Sequence, residues 1–206
     1  MGTPKDSIKT KAKIISKAGI LFAQQGFKAV TVRDIAKKSG TPLSAINYHF
    51  RSKDGLYKKV LLTAIEKLSM SAEEELELQN MPPEDAAKNI IREWLREEMC
   101  FDGSKWEDDI LLRELLSPTE GTEELVEQYY KPFLLLLSEV IGKIVNKPAD
   151  DVQIQFASLS LASLVDSFNL YGKVINKAMP KLTEQIKDED RQVDKIYQTV
   201  VAIAAL

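Results

Sequence analysis

Apolar positions recur at steps of three and four along nearly the whole chain, the spacing that gathers side chains on one face of an α-helix. Over residues 5–25, Ile8, Ala12, Ile15, Ala18 and Phe22 keep that rhythm and Gly26 marks a stop, which predicts a first helix. Thr31 offers an N-cap with Asp34 three residues on, and "VRDIAKKS" closes at Gly40 as a short second helix. Thr41, with Pro42 at the first helical position, opens a third, "LSAINYHF", that runs to the next cap at Ser52. From Lys53, the positions Leu56, Val60, Leu61, Ala64, Ile65 and Leu68 predict one long helix toward residue 80.

The Pro82–Pro83 pair starts a new helix but cannot sit inside one, so "EDAAKNIIREWLREEMCF" is a separate element ending near Asp102 and Gly103. Ser104 can cap "KWEDDILLRELL", which Ser117 and Pro118 stop. Further helices are expected at 122–146, kinked near Pro132, at 149–171 before Gly172, at 173–179 before Pro180, and over "EDRQVDKIYQTVVAIAAL". No alternating run bounded by turn pairs argues for a sheet, and no internal repeat is visible. The expected fold is all-α: an N-terminal three-helix helix-turn-helix domain over 1–52, joined to a C-terminal helical bundle over 53–206 that dimerises. The helix at 53–80 is the expected connection.

Charge divides the chain where the helix pattern does. Residues 1–60 hold thirteen Lys and Arg against three acids, a local charge of +10, whereas the remaining 146 hold fifteen against twenty-eight, −13. A compact basic segment on an acidic body is the footprint of a polyanion-binding head whose body avoids the same polyanion. An apolar fraction of 44% and a charged fraction of 29% are those of a globular protein. No apolar run approaches the length that spans a bilayer, "FLLLL" at 133–137 being far too short, so no membrane association is expected. The opening "MGTPKDSIKTKAK" is basic without the apolar core of a secretory signal, and a cytoplasmic setting is expected.

One cysteine, Cys100, and one histidine, His49, provide no metal or disulfide framework. Ile46 stands where the Glu of a Glu-x-x-His di-iron signature would be. No Walker-type glycine loop, serine elbow or paired-cysteine motif occurs. No enzyme activity, cofactor or metal is therefore expected.

Two short helices joined by a tight turn at Gly40, with Ile35 and Ala36 before it and Ile46 and Phe50 after it, make a helix-turn-helix. Ile46 and Phe50 face inward, leaving Leu43, Ser44, Asn47 and Tyr48 on or near the other face, where such proteins meet base edges. Arg33 and Lys53, near the starts of their helices, suit phosphate oxygens. The segment "TVRDIAKKSGTPLSAINYHFRSKDGLYKKVL" resembles the DNA-binding domain of the TetR family of bacterial transcriptional regulators, matching at Thr31, Ile35, Ala36, Gly40, Tyr48, Phe50, Ser52, Lys53, Asp54 and Leu56. The resemblance covers about residues 8–62 and implies base or sugar contacts from Thr41, Leu43, Ser44, Ala45 and Asn47. It implies mainly phosphate contacts from Thr31, Tyr48, His49 and Lys53. Asn47 departs from the Tyr of many members, and Asn can pair bidentately with adenine.

A reader of palindromic DNA needs two reading helices about one duplex turn, roughly 34 Å, apart, so a homodimer is expected. Ala157, Ser160, Leu161 and Leu164, in "DVQIQFASLSLASLVDSFNLYG", and Ile196 and Val200 on the last helix are its candidate interface, as in TetR-like dimers. Trp94, Met99, Phe101, Trp106, Tyr129 and Phe133 are candidates for a pocket that takes an apolar or aromatic small-molecule effector. "RELLSPTEGTEELVEQYYKPFLLLL" resembles the C-terminal domain of the CecR-type subgroup, often associated with membrane transport genes. The expected function is a homodimeric repressor released from a double-stranded DNA operator by that effector. A nonspecific architectural nucleic-acid binder and a helical enzyme or metal carrier are the rival readings.

Overall fold

A computed structural model describes residues 4–96 and 105–206, and every regular element among them is helical. The order is α1 (Pro4–Gln25), α2 (Val32–Ser39), α3 (Leu43–Phe50), α4 (Lys53–Leu68), α5 (Ala72–Asn80), α6 (Pro83–Leu95), α7 (Trp106–Leu116), α8 (Thr122–Leu125), a π-helical turn (Val126–Tyr130), α9 (Lys131–Val145), α10 (Val152–Ala178), α11 (Pro180–Gln185) and α12 (Glu189–Ala204). Packing gathers them into two compact units. The first comprises residues 4–69 and 105–129, and the second 70–96 and 130–206. Compactness thus draws its line beyond the 52/53 boundary expected from the motif, because α4 and α7 bury their apolar faces with α1.

In the first unit, Phe22 of α1, Ile35, Ile46, Leu56, Leu61 and Ile110 are fully buried. Phe22, Phe27 and Tyr57 form a three-ring cluster with centroids 4.8–6.0 Å apart. Trp106, expected to line an effector pocket, is instead a core residue of this unit: a Cβ on Gly19 of α1 would lie 2.2 Å from its ring. Glu114 is a fully buried carboxylate, yet it receives hydrogen bonds from Tyr57 Oη (2.6 Å), Thr119 N (2.7 Å), Thr119 Oγ1 (2.8 Å) and Thr122 Oγ1 (2.7 Å). That many donors replace the water the carboxylate has lost.

In the second unit, α6, α9, α10 and α12 enclose Ile90, Ile91, Leu137, Ile141, Ile154, Ala157, Leu161, Ile196 and Val200. Ala157, Leu161, Ile196 and Val200, expected at an interface between chains, are buried in this chain's own core, while Ser160 and Leu164 stay half-buried. The slim, apolar stripe read from the sequence is the internal α10–α12 seam. A row of ion pairs ties α6 to α12: Lys88–Asp194 (2.9 Å), Arg92–Asp190 (2.9 Å) and Arg96–Glu189 (2.7 Å). The cations stand four residues apart, on one face of α6 and its C-cap, Arg96.

Three expected elements differ in extent. The helix from Lys53 breaks at residues 69–71, where Ser71 forms a capping box with Glu74 that starts α5. Chain 122–146 is interrupted by the π-helical turn just before Pro132. Gly172 does not end α10, which continues to Ala178, a single helical glycine costing only about 1 kcal/mol against a long helix's packing.

Candidate nucleic-acid interface

Local hydrogen bonds mark the ends of the head's short helices. Thr31 Oγ1 accepts from Asp34 N (3.2 Å), and Asp34 Oδ2 accepts from Thr31 N (3.0 Å), completing the expected capping box of α2. Hydrogen bonds from Thr31 hold the Asp34 carboxyl below its ordinary range. At the other end Gly40 takes φ 61°, the left-handed region that a side chain resists, and Thr41 N donates to Ala36 O (3.1 Å) while Gly40 N donates to Lys37 O (3.3 Å). Thr41 does not cap α3 as expected: Pro42 occupies the N-cap, and Thr41 Oγ1 instead shares a 2.7 Å hydrogen bond with the buried Ser39 Oγ.

Ile46 and Phe50 bury the inner face of α3. On its outer face Leu43, Ser44, Asn47 and Tyr48 are exposed, Tyr48 at 82%, and Thr41, Ala45 and His49 are half-buried at its edge. The His49 ring meets that of Tyr48 edge-on, centroids 5.2 Å apart, and lies tilted to that of Phe50 at 5.9 Å. Thr31 and Arg33 are exposed at the start of α2. A short helix with a dry back and a polar, groove-sized front is the form in which side chains reach base edges.

Lys53 has a second role that its sequence position does not reveal. Its ammonium donates to Phe27 O (3.0 Å) and Val30 O (3.2 Å) and lies 4.2 Å from the Phe27 ring centroid, tying the start of α4 to the loop that leads into α2. One of its three N–H donors remains for another acceptor. Two residues of the same turn were missed. Arg51 is exposed at φ 65°, closing α3 through its N–H to Asn47 O (2.9 Å). Gly55 lets α4 approach α3 closely, since a Cβ there would lie 2.4 Å from Phe50 O. The signal was present in "RSKDG", a glycine in the first turn of a helix that composition alone would not put there.

The expected pocket residues divide differently. Trp94 and Phe133 meet edge-on in the second unit, ring centroids 5.0 Å apart. Tyr129 is half-buried in the π-helical turn, and Met99 and Phe101 lie outside the described residues. Among the described residues no group of three His, Cys, Asp or Glu is placed to hold a metal ion, and no helix is long and apolar enough to cross a membrane.

Comparison with known proteins meets this geometry from both ends. Residues 14–60 match the bacterial regulatory proteins of the tetR family, and residues 83–206 match the C-terminal domain of the HTH-type transcriptional dual regulator CecR. The chain belongs to the TetR family of bacterial transcriptional regulators. This TetR-family regulator is 28% identical to the dual regulator CecR of Shigella flexneri over 192 residues, 85% of this chain and 83% of that one. It is 37% identical over 83 residues to the probable regulator YttP of Bacillus subtilis, a match spanning 35% of this chain and only 40% of the relative. The repressor KstR2 of Mycolicibacterium smegmatis is 36% identical over 59 residues, 29% of either chain. In fold, the regulator superposes on a transcriptional regulator of Rhodococcus sp. Rha1 with TM-score 0.65 at 16% identity, covering 95% of this chain and 98% of that one. It also superposes on NalD, the secondary repressor of the MexAB-OprM multidrug efflux pump of Pseudomonas aeruginosa, with TM-score 0.60 at 20% identity and 96% of both chains. The regulator is thus a DNA-binding protein of transcription control, and its relatives are regulators rather than enzymes.

Proposed function

We propose that the protein is a homodimeric repressor that binds a palindromic operator through α3 and leaves it when a small molecule binds. The observation that carries this is the outer face of α3, where Leu43, Ser44 and Asn47 stand exposed on a helix whose back is fixed by Ile46 and Phe50. Thr41, Leu43, Ser44, Ala45 and Asn47 are the proposed base and sugar contacts. Thr31, Arg33, Tyr48, His49 and the free donor of Lys53 are the proposed phosphate contacts, joined by Arg51. Residues 1–52 hold these contacts save that of Lys53, the first residue of α4, and the rest of 53–206 serves effector binding and assembly.

The proposed partner surface for the second copy is the outer face of α10. Val152, Phe156, Leu159, Ser163, Leu170 and Val174 follow steps of three, four and seven along it and stay exposed, an apolar stripe of a kind that a monomer does not leave in water. Two copies joined there give the paired reading helices a palindrome requires. Effector binding near Trp94 and Phe133 favours a conformation with a different head spacing, and the affinities for effector and operator are then reciprocally coupled. NalD represses an efflux pump, and a membrane-transport gene is the proposed target class here.

Selection of binding sites from a random duplex library, with purified protein at near-physiological salt, tests this. An enriched palindrome is the expected result and supplies the probe for release by effectors. Uniform, salt-sensitive binding would identify a nonspecific architectural binder, because phosphate contacts alone carry no sequence information.

A further inference from the structure

In the second unit a carboxylate stands beside aromatic rings and, among the described residues, pairs with no cation. Asp166 and Asn169 lie three residues apart on α10 and flank the C-terminal end of α6, where Asn169 Nδ2 donates to Trp94 O at 3.1 Å. The Trp94 ring meets Phe133 edge-on, and with Phe168 both pack against the unit's core. All of these residues, with Tyr130, are half-buried, so the cluster stands at the margin of the core with part of its surface open to a ligand.

Its electrostatics are unbalanced. Burial raises the Asp166 carboxyl above its ordinary range, and a hydrogen bond from the Trp94 side chain only opposes that effect. The Tyr130 hydroxyl is pushed up to about 12, first by burial and then by the charge of Asp166, which puts this ring in the same field. Among the described residues no Lys or Arg pairs with Asp166, whereas Glu189, Asp190 and Asp194 of α12 each have a cation on α6. A half-desolvated carboxylate without a counter-charge is unfavourable, and a ligand that brings the charge relieves it. Aromatic rings attract the same ligand, since the face of an indole or phenol ring favours a poorly hydrated cation such as an ammonium.

We propose that the cluster of Trp94, Tyr130, Phe133 and Asp166 is a binding site for an organic ammonium cation. Asp166 is the counter-charge and the rings are the apolar walls. A neutral ligand of the same shape gains the walls but not the charge, and an anion is repelled. The consequence for gene control rests on the effector-released reading above, but the binding site itself does not.

The test uses the full-length protein and two probes of one shape, para-hydroxyphenyltrimethylammonium and its neutral isostere para-tert-butylphenol, titrated by calorimetry and into the protein–operator complex. The ammonium is expected to bind about tenfold or more tightly than the phenol, and Asp166→Asn, which keeps the shape and a hydrogen-bond acceptor for Trp94, is expected to abolish that preference without lowering the melting temperature. Equal binding of both probes to the wild type, or no binding of the ammonium, overturns the proposal whatever the variant does. Binding that depends on Asp166 but leaves the operator complex intact upholds the site and sinks the effector-released reading instead.

Discussion

Asn47 and Tyr48 are neighbours on the exposed face of α3, yet their chemistry separates their roles. An amide that pairs bidentately with one base reads sequence, so Asn47→Ala should lose roughly 1–3 kcal/mol at a single base position of the selected operator. Equal losses on operator and random DNA, measured by competition binding, would remove Asn47 from the readout. At the start of α2, Thr31 holds the Asp34 carboxyl below its ordinary range, so the native group is harder to protonate than the unfolded one. Its contribution to stability is therefore complete above the usual Asp range and fades as pH falls toward the depressed native value. The gap in melting temperature between wild type and Asp34→Asn should shrink on acidification through that range. A gap independent of pH would mean that the charge plays no part in the cap. These residues were legible because capping boxes and reading-helix positions are set by spacing within a few residues. The second task of Lys53 was not, because its acceptors at Phe27 and Val30 lie more than twenty positions away.

Helices are legible from one-dimensional rhythm only as far as nothing interrupts the rhythm. Apolar spacing runs on past Leu68, so a single connecting helix was the natural expectation, and the two-sided cap between Ser71 and Glu74 is what divides it. How helices meet is invisible to that rhythm. Gly19 reads as an ordinary weak point in α1, whereas in the fold it is the seat of the Trp106 ring. Gly19→Ala should force the indole aside and cost about 1–3 kcal/mol in chemical denaturation; an unchanged midpoint would mean the ring has room to move. Glu114 looks like one more acid of an acidic helix, but its burial makes it the joint between α4 and the turn after α7. Burial and this hydrogen bond both push the Tyr57 hydroxyl well above its ordinary range, so it stays a donor at every accessible pH. Tyr57→Phe removes that donor and leaves the carboxylate short of a partner, an expected loss of about 1–3 kcal/mol on the same denaturation axis.

For the whole molecule, the proposed homodimer uses a different surface from the one its small residues suggested. Ala157 and Leu161 face the protomer's own interior, and the residues left outside on α10 are larger: Val152, Phe156 and Leu159, at 79%, 57% and 54% exposure. Phe156→Glu should therefore halve the mass measured by light scattering while hardly moving the melting temperature. The operator complex should weaken with it, because one reading helix cannot span a palindrome. A variant that keeps the dimer mass would move the interface elsewhere.

The helical class, the helix-turn-helix, the Thr31–Asp34 capping box and the basic head on an acidic body were determined by sequence alone, since each follows from periodicity, spacing or charge counted along the chain. Tertiary structure decided which face of α10 is core and which is surface, that Trp106 is a core residue, and that Asp166 shares a margin with Trp94. The reason is physical: a helix with apolar residues on two faces offers two ways to pack. Only the positions of its neighbours, set by contacts between distant residues, select one.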